Sequence, residues 1–186
     1  MLFRSTSYKW PTWADILGQE FAEYQNWGRN GAGNQYIFHS LVEANQRNKF
    51  TPDDTVIIMW TTLDREDRYL RGQWFTHGSI YHNTFFPKEF VKNFADDRWS
   101  ILRDLTCISA VKSLLDHWGV KYHFLNMAPF SFSFDQCVEP IDDIVQEFKP
   151  LIDITKPSMF ETVMGSNFNS NFSQTEYEVF AGSEWP

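Results

Sequence analysis

The run Thr55 to Trp60, TVIIMW, restricts the fold more than any other part of this chain. Apolar and β-branched residues follow one another without alternation, as they do in a strand covered on both faces inside a parallel sheet. Val120 to Met127, VKYHFLNM, predicts a second strand, stopped by Ala128-Pro129. Between them, Trp99 to Trp118 places Ile101, Leu105, Ile108, Val111, Leu114, Leu115 and Trp118 at helical period and ends at Gly119. A strand, a long helix and a strand in that order predict a right-handed crossover and an α/β fold.

The other elements are placed around that frame. Thr12 is an N-cap for a helix from Trp13 to Tyr24 with Trp13, Ile16, Leu17 and Phe21 on one face. Tyr24 to Trp27 predicts a short strand, and Asn34 to Asn48 a helix with Tyr36, Ile37, Leu41 and Val42 turned inward. The chain turns helical again from Lys88. After a serine/phenylalanine loop, Phe130 to Val138, a short helix runs from Pro140 to Phe148 with Pro140 at its first position. Leu151 to Ile154 predicts a last short strand and Pro157 to Met164 a helical turn. Gly165 to Pro186 is polar and asparagine-rich, and an irregular conformation is expected for it. At 186 residues a single domain is expected over 1–186.

The glycine stretch Asn26 to Asn34, NWGRNGAGN, lies between two helical segments. Its glycines permit positive φ and close approach of another group. It ends at a helix N-terminus, with Asn34 or a neighbour as N-cap, where free N–H groups and the helix dipole favour an anion or a developing oxyanion. The spacing is not that of a dinucleotide-binding loop after an apolar strand. A plain turn accounts for the same composition.

Asn26-Trp27-Gly28-Arg29-Asn30-Gly31 has the form N-x-G-x-x-G and resembles the second sequence block of the SGNH (GDSL-like) hydrolases. GRNGAGNQYIF followed by TPDDTVIIMWTTLDREDRY is similar to SGNH-like proteins of tailed bacteriophages and marine metagenomes, over roughly Tyr8 to Pro129. The resemblance implies a three-layer α/β/α sandwich with a mostly parallel, flavodoxin-like sheet. It also implies hydrolysis of an ester, such as a carbohydrate O-acetyl ester, by serine acyl transfer. Gly31 would lend its backbone N–H to the oxyanion hole, with Asn34 and the hydroxyl of Thr61 or Thr62 as further donors. A phage origin would place the protein in a host cytoplasm or on a virion.

The family's first block, Gly-Asp-Ser, and its last, Asp-x-x-His, are not found. Ser5 and Ser7 lie near the nucleophile position, before the first helix, and also fit ordinary loop hydroxyls. A chain incomplete at both ends, or one that has lost its serine, is expected. His123, the last histidine, comes too early for the base and reads as a core or sheet-face residue.

The charged run Asp64 to Arg68 follows the central strand, where ligands collect in open α/β sheets. A solvated turn with mutually paired charges is the plainer reading, with Arg65 retained as a ligand for an anionic substrate group. Leu70 to Phe86 reads as an irregular excursion over the site. Its Trp74, Phe75, Tyr81 and Phe86 form a stacking face for a sugar or an acyl group. His77 and His82 lack metal-ligand spacing; His77 is kept as a substrate-binding candidate with Arg65, Trp74 and Tyr81.

Aromatic residues make up 18% of the chain, enough to fill a core and still line a ligand face. A net charge of −8 argues against an electrostatic nucleic-acid binder. No apolar run approaches the ~20 residues of a bilayer span, and MLFRSTSYKWP lacks a signal-peptide core. A soluble cytoplasmic protein is expected, without metal or cofactor. Cys107 and Cys137 read as buried thiols in a reducing compartment. Three functions stay open: the ester hydrolase, a catalytically silent module holding a glycan or a virion partner, and a flavodoxin-like nucleotide-binding domain.

Overall fold

The computed structural model describes residues 12–81, 85–130 and 140–164. Strand β1 (Thr55–Trp60) and strand β4 (Lys121–Asn126) pair in parallel, from Thr55 opposite Lys121 to Trp60 opposite Asn126. Strands β2 (Arg65–Leu70) and β3 (Gln73–Ser79) form a separate antiparallel hairpin. Helix α1 is Trp13–Gly18, α2 Asn34–Asn48, α3 Lys88–Phe94 and α4 Asp97–Trp118. Three short helices close the described chain: α5 (Asp142–Glu147), α6 (Lys149–Asp153) and α7 (Met159–Met164). The result is a mixed α/β protein with a small parallel sheet. Among the described residues no helix is long and apolar enough to cross a membrane.

The core lies where the apolar pattern put it. Ile58 and Trp60 of β1 pack with Ile37 and Leu41 of α2 and with Ile101, Leu105, Ile108, Val111 and Leu115 of α4. Each such side chain contributes roughly 1.5–3 kcal/mol by leaving water. Helix α4 starts two residues before the predicted position, because Asp96 caps it by accepting from Trp99 N–H at 2.7 Å. It ends, as predicted, at Gly119 in the left-handed region, φ 68°.

Several predicted elements differ. Helix α1 keeps its Thr12 cap but stops at Gly18, and residues 24–27 form no strand. Its buried residues are Ala14 and Gly18, while Ile16 and Phe21 are exposed. In α2 Ile37 and Leu41 are buried as predicted, but Tyr36 and Val42 are only half-buried. Residues 151–153 continue a helix, not a strand, and Pro140 lies outside α5, whose N-cap is Ile141. His123 is exposed.

The largest departure is the stretch after β1. Residues 65–79 are the β2–β3 hairpin, not a charged turn and an irregular excursion. Arg71 and Gly72, both at positive φ (52° and 82°), make its two-residue turn. Arg-Gly is a weaker signal for that turn than Asn-Gly. The serine/phenylalanine loop from residue 131, Cys137, and the tail from residue 165 lie outside the described residues.

Candidate functional site

The glycine loop is laid against the hairpin. Gly78 N–H donates to the Gly31 carbonyl at 3.0 Å, and the Thr76 hydroxyl donates to the Asn30 carbonyl at 2.8 Å. Gly31 has φ 70°, and a Cβ there would meet the Thr76 carbonyl oxygen at 2.3 Å. Only glycine fits that position. Gly33 has ordinary extended backbone and is required for space instead, since a Cβ would stand 2.8 Å from Asp67 Oδ2.

Helix α2 starts at Asn34 as predicted, and its N-cap is the neighbouring Gly33 rather than Asn34 itself. Having no side chain, Gly33 cannot cap the helix; Asp67 of β2 does so from across the fold. Its Oδ1 accepts from Gly33 N–H at 2.9 Å and its Oδ2 from Tyr36 N–H at 2.8 Å. The anion position of this helix N-terminus is therefore filled by the protein's own carboxylate. Burial raises the Asp67 pKa, against the two backbone hydrogen bonds that lower it.

Asn34 is fully buried and works as an extra ladder partner for the chain beyond β1. Its Oδ1 accepts from Thr61 N–H at 3.1 Å, and its Nδ2 donates to the Thr61 carbonyl at 3.3 Å and to Asp104 Oδ2 at 2.9 Å. Asp104, on α4 and also fully buried, accepts at Oδ1 from Arg103 Nε at 2.7 Å. Arg103 then donates through Nη1 to Glu66 at 2.9 Å and through Nη2 to the Arg65 carbonyl at 2.8 Å. Arg68 pairs with the second oxygen of Glu66. Burial pushes the Asp104 carboxyl up to about 7, although Arg103 and the Asn34 amide both pull it down. One continuous network thus ties the start of α2, the end of β1, the hairpin and α4 together.

The residues expected to bind substrate are spread around this network. Thr61 is 1% exposed, its hydroxyl has no partner among the described residues, and Thr62 is half-buried. Trp60 Nε1 and Asn126 Oδ1, also at the carboxyl ends of β1 and β4, are likewise buried without a partner. Arg65 donates through Nη1 to the Ala32 carbonyl at 3.2 Å, bracing the glycine loop.

The predicted stacking face divides, because alternate residues of a strand point to opposite sides. On one side Trp74 is ringed by Tyr36, His39 and Tyr69 at centroid distances of 5.7, 5.3 and 5.3 Å. On the other side His77 stacks on Phe85 at 4.1 Å, with Phe75 beside it. Tyr81 donates its hydroxyl to Asp97 Oδ1 at 2.5 Å; burial and then Asp97 hold its pKa well above the usual tyrosine value. Ser5, Ser7 and His82 lie outside the described residues.

Glu66, Asp67, Arg103 and Asp104 were missed as buried groups. A signal existed for two members of the network. Asp104 falls between Ile101, Leu105 and Ile108 on the apolar stripe of α4, and Asn34 precedes Ile37 and Leu41 on that of α2. A polar residue on such a stripe needs a buried partner. Among the described residues no group of three or more His, Cys, Asp or Glu could hold a metal ion. The Cys107 thiol is pushed up to about 11, by burial and then by Asp104, which makes it a poor nucleophile. No protein-family model, curated protein or solved structure matches the chain.

Proposed function

We propose that this chain is an SGNH-like, flavodoxin-type three-layer α/β domain that holds a glycan on the aromatic side of its hairpin without hydrolysing it. One observation carries the reading. The donors at the start of α2 already have internal partners, whereas the rings beside them remain open. Gly33 N–H, Tyr36 N–H and the Asn34 amide serve Asp67, Thr61 and Asp104. Oxyanion stabilisation needs donors aimed at an open position where charge develops. Tyr69 is 62% exposed against Trp74, with His39 also exposed, and such rings stack on the apolar face of a sugar.

The ester-hydrolase reading is the second, favoured by the Asn26 to Gly31 motif and by the unpartnered Thr61 hydroxyl. Intact mass after exposure to a fluorophosphonate, with titration calorimetry against a glycan panel, separates the two. No adduct on folded protein is expected, together with saturable glycan binding that weakens about tenfold or more in Tyr69→Ala or Trp74→Ala. A stoichiometric adduct on Ser5 or Ser7 would establish the hydrolase instead.

A further inference from the structure

Away from the hairpin, a cleft of about 750 Å³ opens between the segment around α1, helix α2 and β1. That volume lies within the range of small-molecule sites, roughly 300–1,000 Å³. Trp13, Phe21, Tyr24 and Trp27 line it from the segment before α2, and Ile37 and Leu41 form part of its floor. None of the four rings around the hairpin, those of Tyr36, His39, Tyr69 and Trp74, belongs to it.

The wall is built rather than incidental. Tyr24 lies flat on Gly18, where an added Cβ would meet its ring at 2.7 Å, and its hydroxyl donates to Asp15 at 3.1 Å. The Trp27 indole N–H donates to Gln25 Oε1 at 3.0 Å, and Gln25 exchanges hydrogen bonds with Asn48 at 3.1 Å in each direction. Two of the lining aromatic residues are thus held in place by hydrogen bonds.

The charged residues that line the cleft are all acidic among the described residues. Glu23, Asp53 and Asp54 line it, and no Lys, Arg or His does so among the described residues. Elsewhere on the surface Glu43, Asp116, Asp143 and Asp153 each pair with a Lys or Arg. Among the described residues Glu23 and Asp53 have no such partner, and Asp54 accepts only from Thr51. Aromatic faces attract cations through their quadrupole, and carboxylates at the mouth add a long-range field of the same preference. The Arg47 guanidinium already stands over the Trp27 ring at 5.4 Å.

From these observations we infer that the cleft is a binding site for a small amphipathic cation, with an aryl or alkyl body against the rings and an ammonium group at the carboxylate rim. The site is independent of the glycan reading. It excludes anions, and it discriminates between a cation and a neutral molecule of the same shape.

The test follows Trp fluorescence while the full chain is titrated with 3-phenylpropylammonium, 3-phenylpropanol or 3-phenylpropionate. Saturable binding of the ammonium is expected, about fivefold or more tighter than the alcohol, with no saturation by the carboxylate. The exposed double variant Glu23→Lys, Asp53→Lys, shown folded by circular dichroism, is expected to lose that advantage and keep the alcohol's affinity. Gly18→Ala, which displaces Tyr24, is expected to weaken ammonium and alcohol alike. Equal affinity for the three compounds, no saturation by the ammonium, an unchanged preference in the double variant, or unchanged affinity in Gly18→Ala would each overturn the assignment.

Discussion

The two strand pairs of this protein obey different rules. In the β1–β4 pair, Ile58 and Trp60 are buried by apolar contact with α2 and α4, which many similar side chains could satisfy. In the β2–β3 hairpin the inward residues are charged, and Glu66 and Asp67 are buried only because specific partners reach them. Apolar burial is non-directional and tolerates exchange at modest cost. Burial of charge is directional, and losing one partner leaves the other desolvated and unpaired. Equal changes to the two pairs should therefore have unequal effects.

The greatest effect is expected at Arg103. Arg103→Met removes the buried cation shared by Asp104 and Glu66, and urea denaturation should show a loss of about 3–5 kcal/mol. A loss below about 1 kcal/mol would mean that the network is dispensable and the contrast false. Gly31→Ala comes next, since its Cβ would collide with the Thr76 carbonyl and its φ is positive. We expect roughly 2–3 kcal/mol, with the hairpin amides of Gly78 and its neighbours exchanging faster than those of β1 in hydrogen-exchange measurements.

Burial holds the Asp104 carboxyl at about 7 in the fold, well above the ordinary carboxylate range of about 4, so the folded protein binds this proton more tightly than the unfolded chain. Its contribution is fully present below pH ~4 and is lost as pH rises through about 7. Wild-type unfolding free energy, compared at pH 5 and pH 8, should fall by about 1–3 kcal/mol more than that of Asp104→Asn. Parallel profiles for the two proteins would show that Asp104 is ionised throughout. The smallest effect belongs to the apolar pair. Ile58→Val should cost only about 0.5–1.5 kcal/mol, read as a shift in urea midpoint with an unchanged slope.

The same contrast explains what could be anticipated from the chain alone. Residues 55–60, the α2 span 34–48 and the end of α4 at Gly119 were legible because each signal is local: a run, a period or a stop residue. The hairpin was not, because REDRYL has the look of surface until Arg103, Gly33 and Tyr36 are placed beside it. The glycine loop was legible as a loop with a special backbone. Its anticipated anion was not an added ligand but Asp67, thirty-four residues beyond Gly33. The proposed stacking face came apart for a simpler reason. Neighbouring residues 74 and 75 point to opposite sides once the segment is a strand.

Composition and periodicity were thus sufficient to settle an α/β chain with a parallel apolar pair and a long helix over it, because burial of apolar surface depends mainly on which side chains repeat and how often. They could not decide which charges go inside, what fills the helix N-terminus at Gly33, or that aromatic residues before α2 enclose a cleft with an acidic rim. Those outcomes depend on distance and direction between groups far apart in the chain, and only tertiary structure sets either.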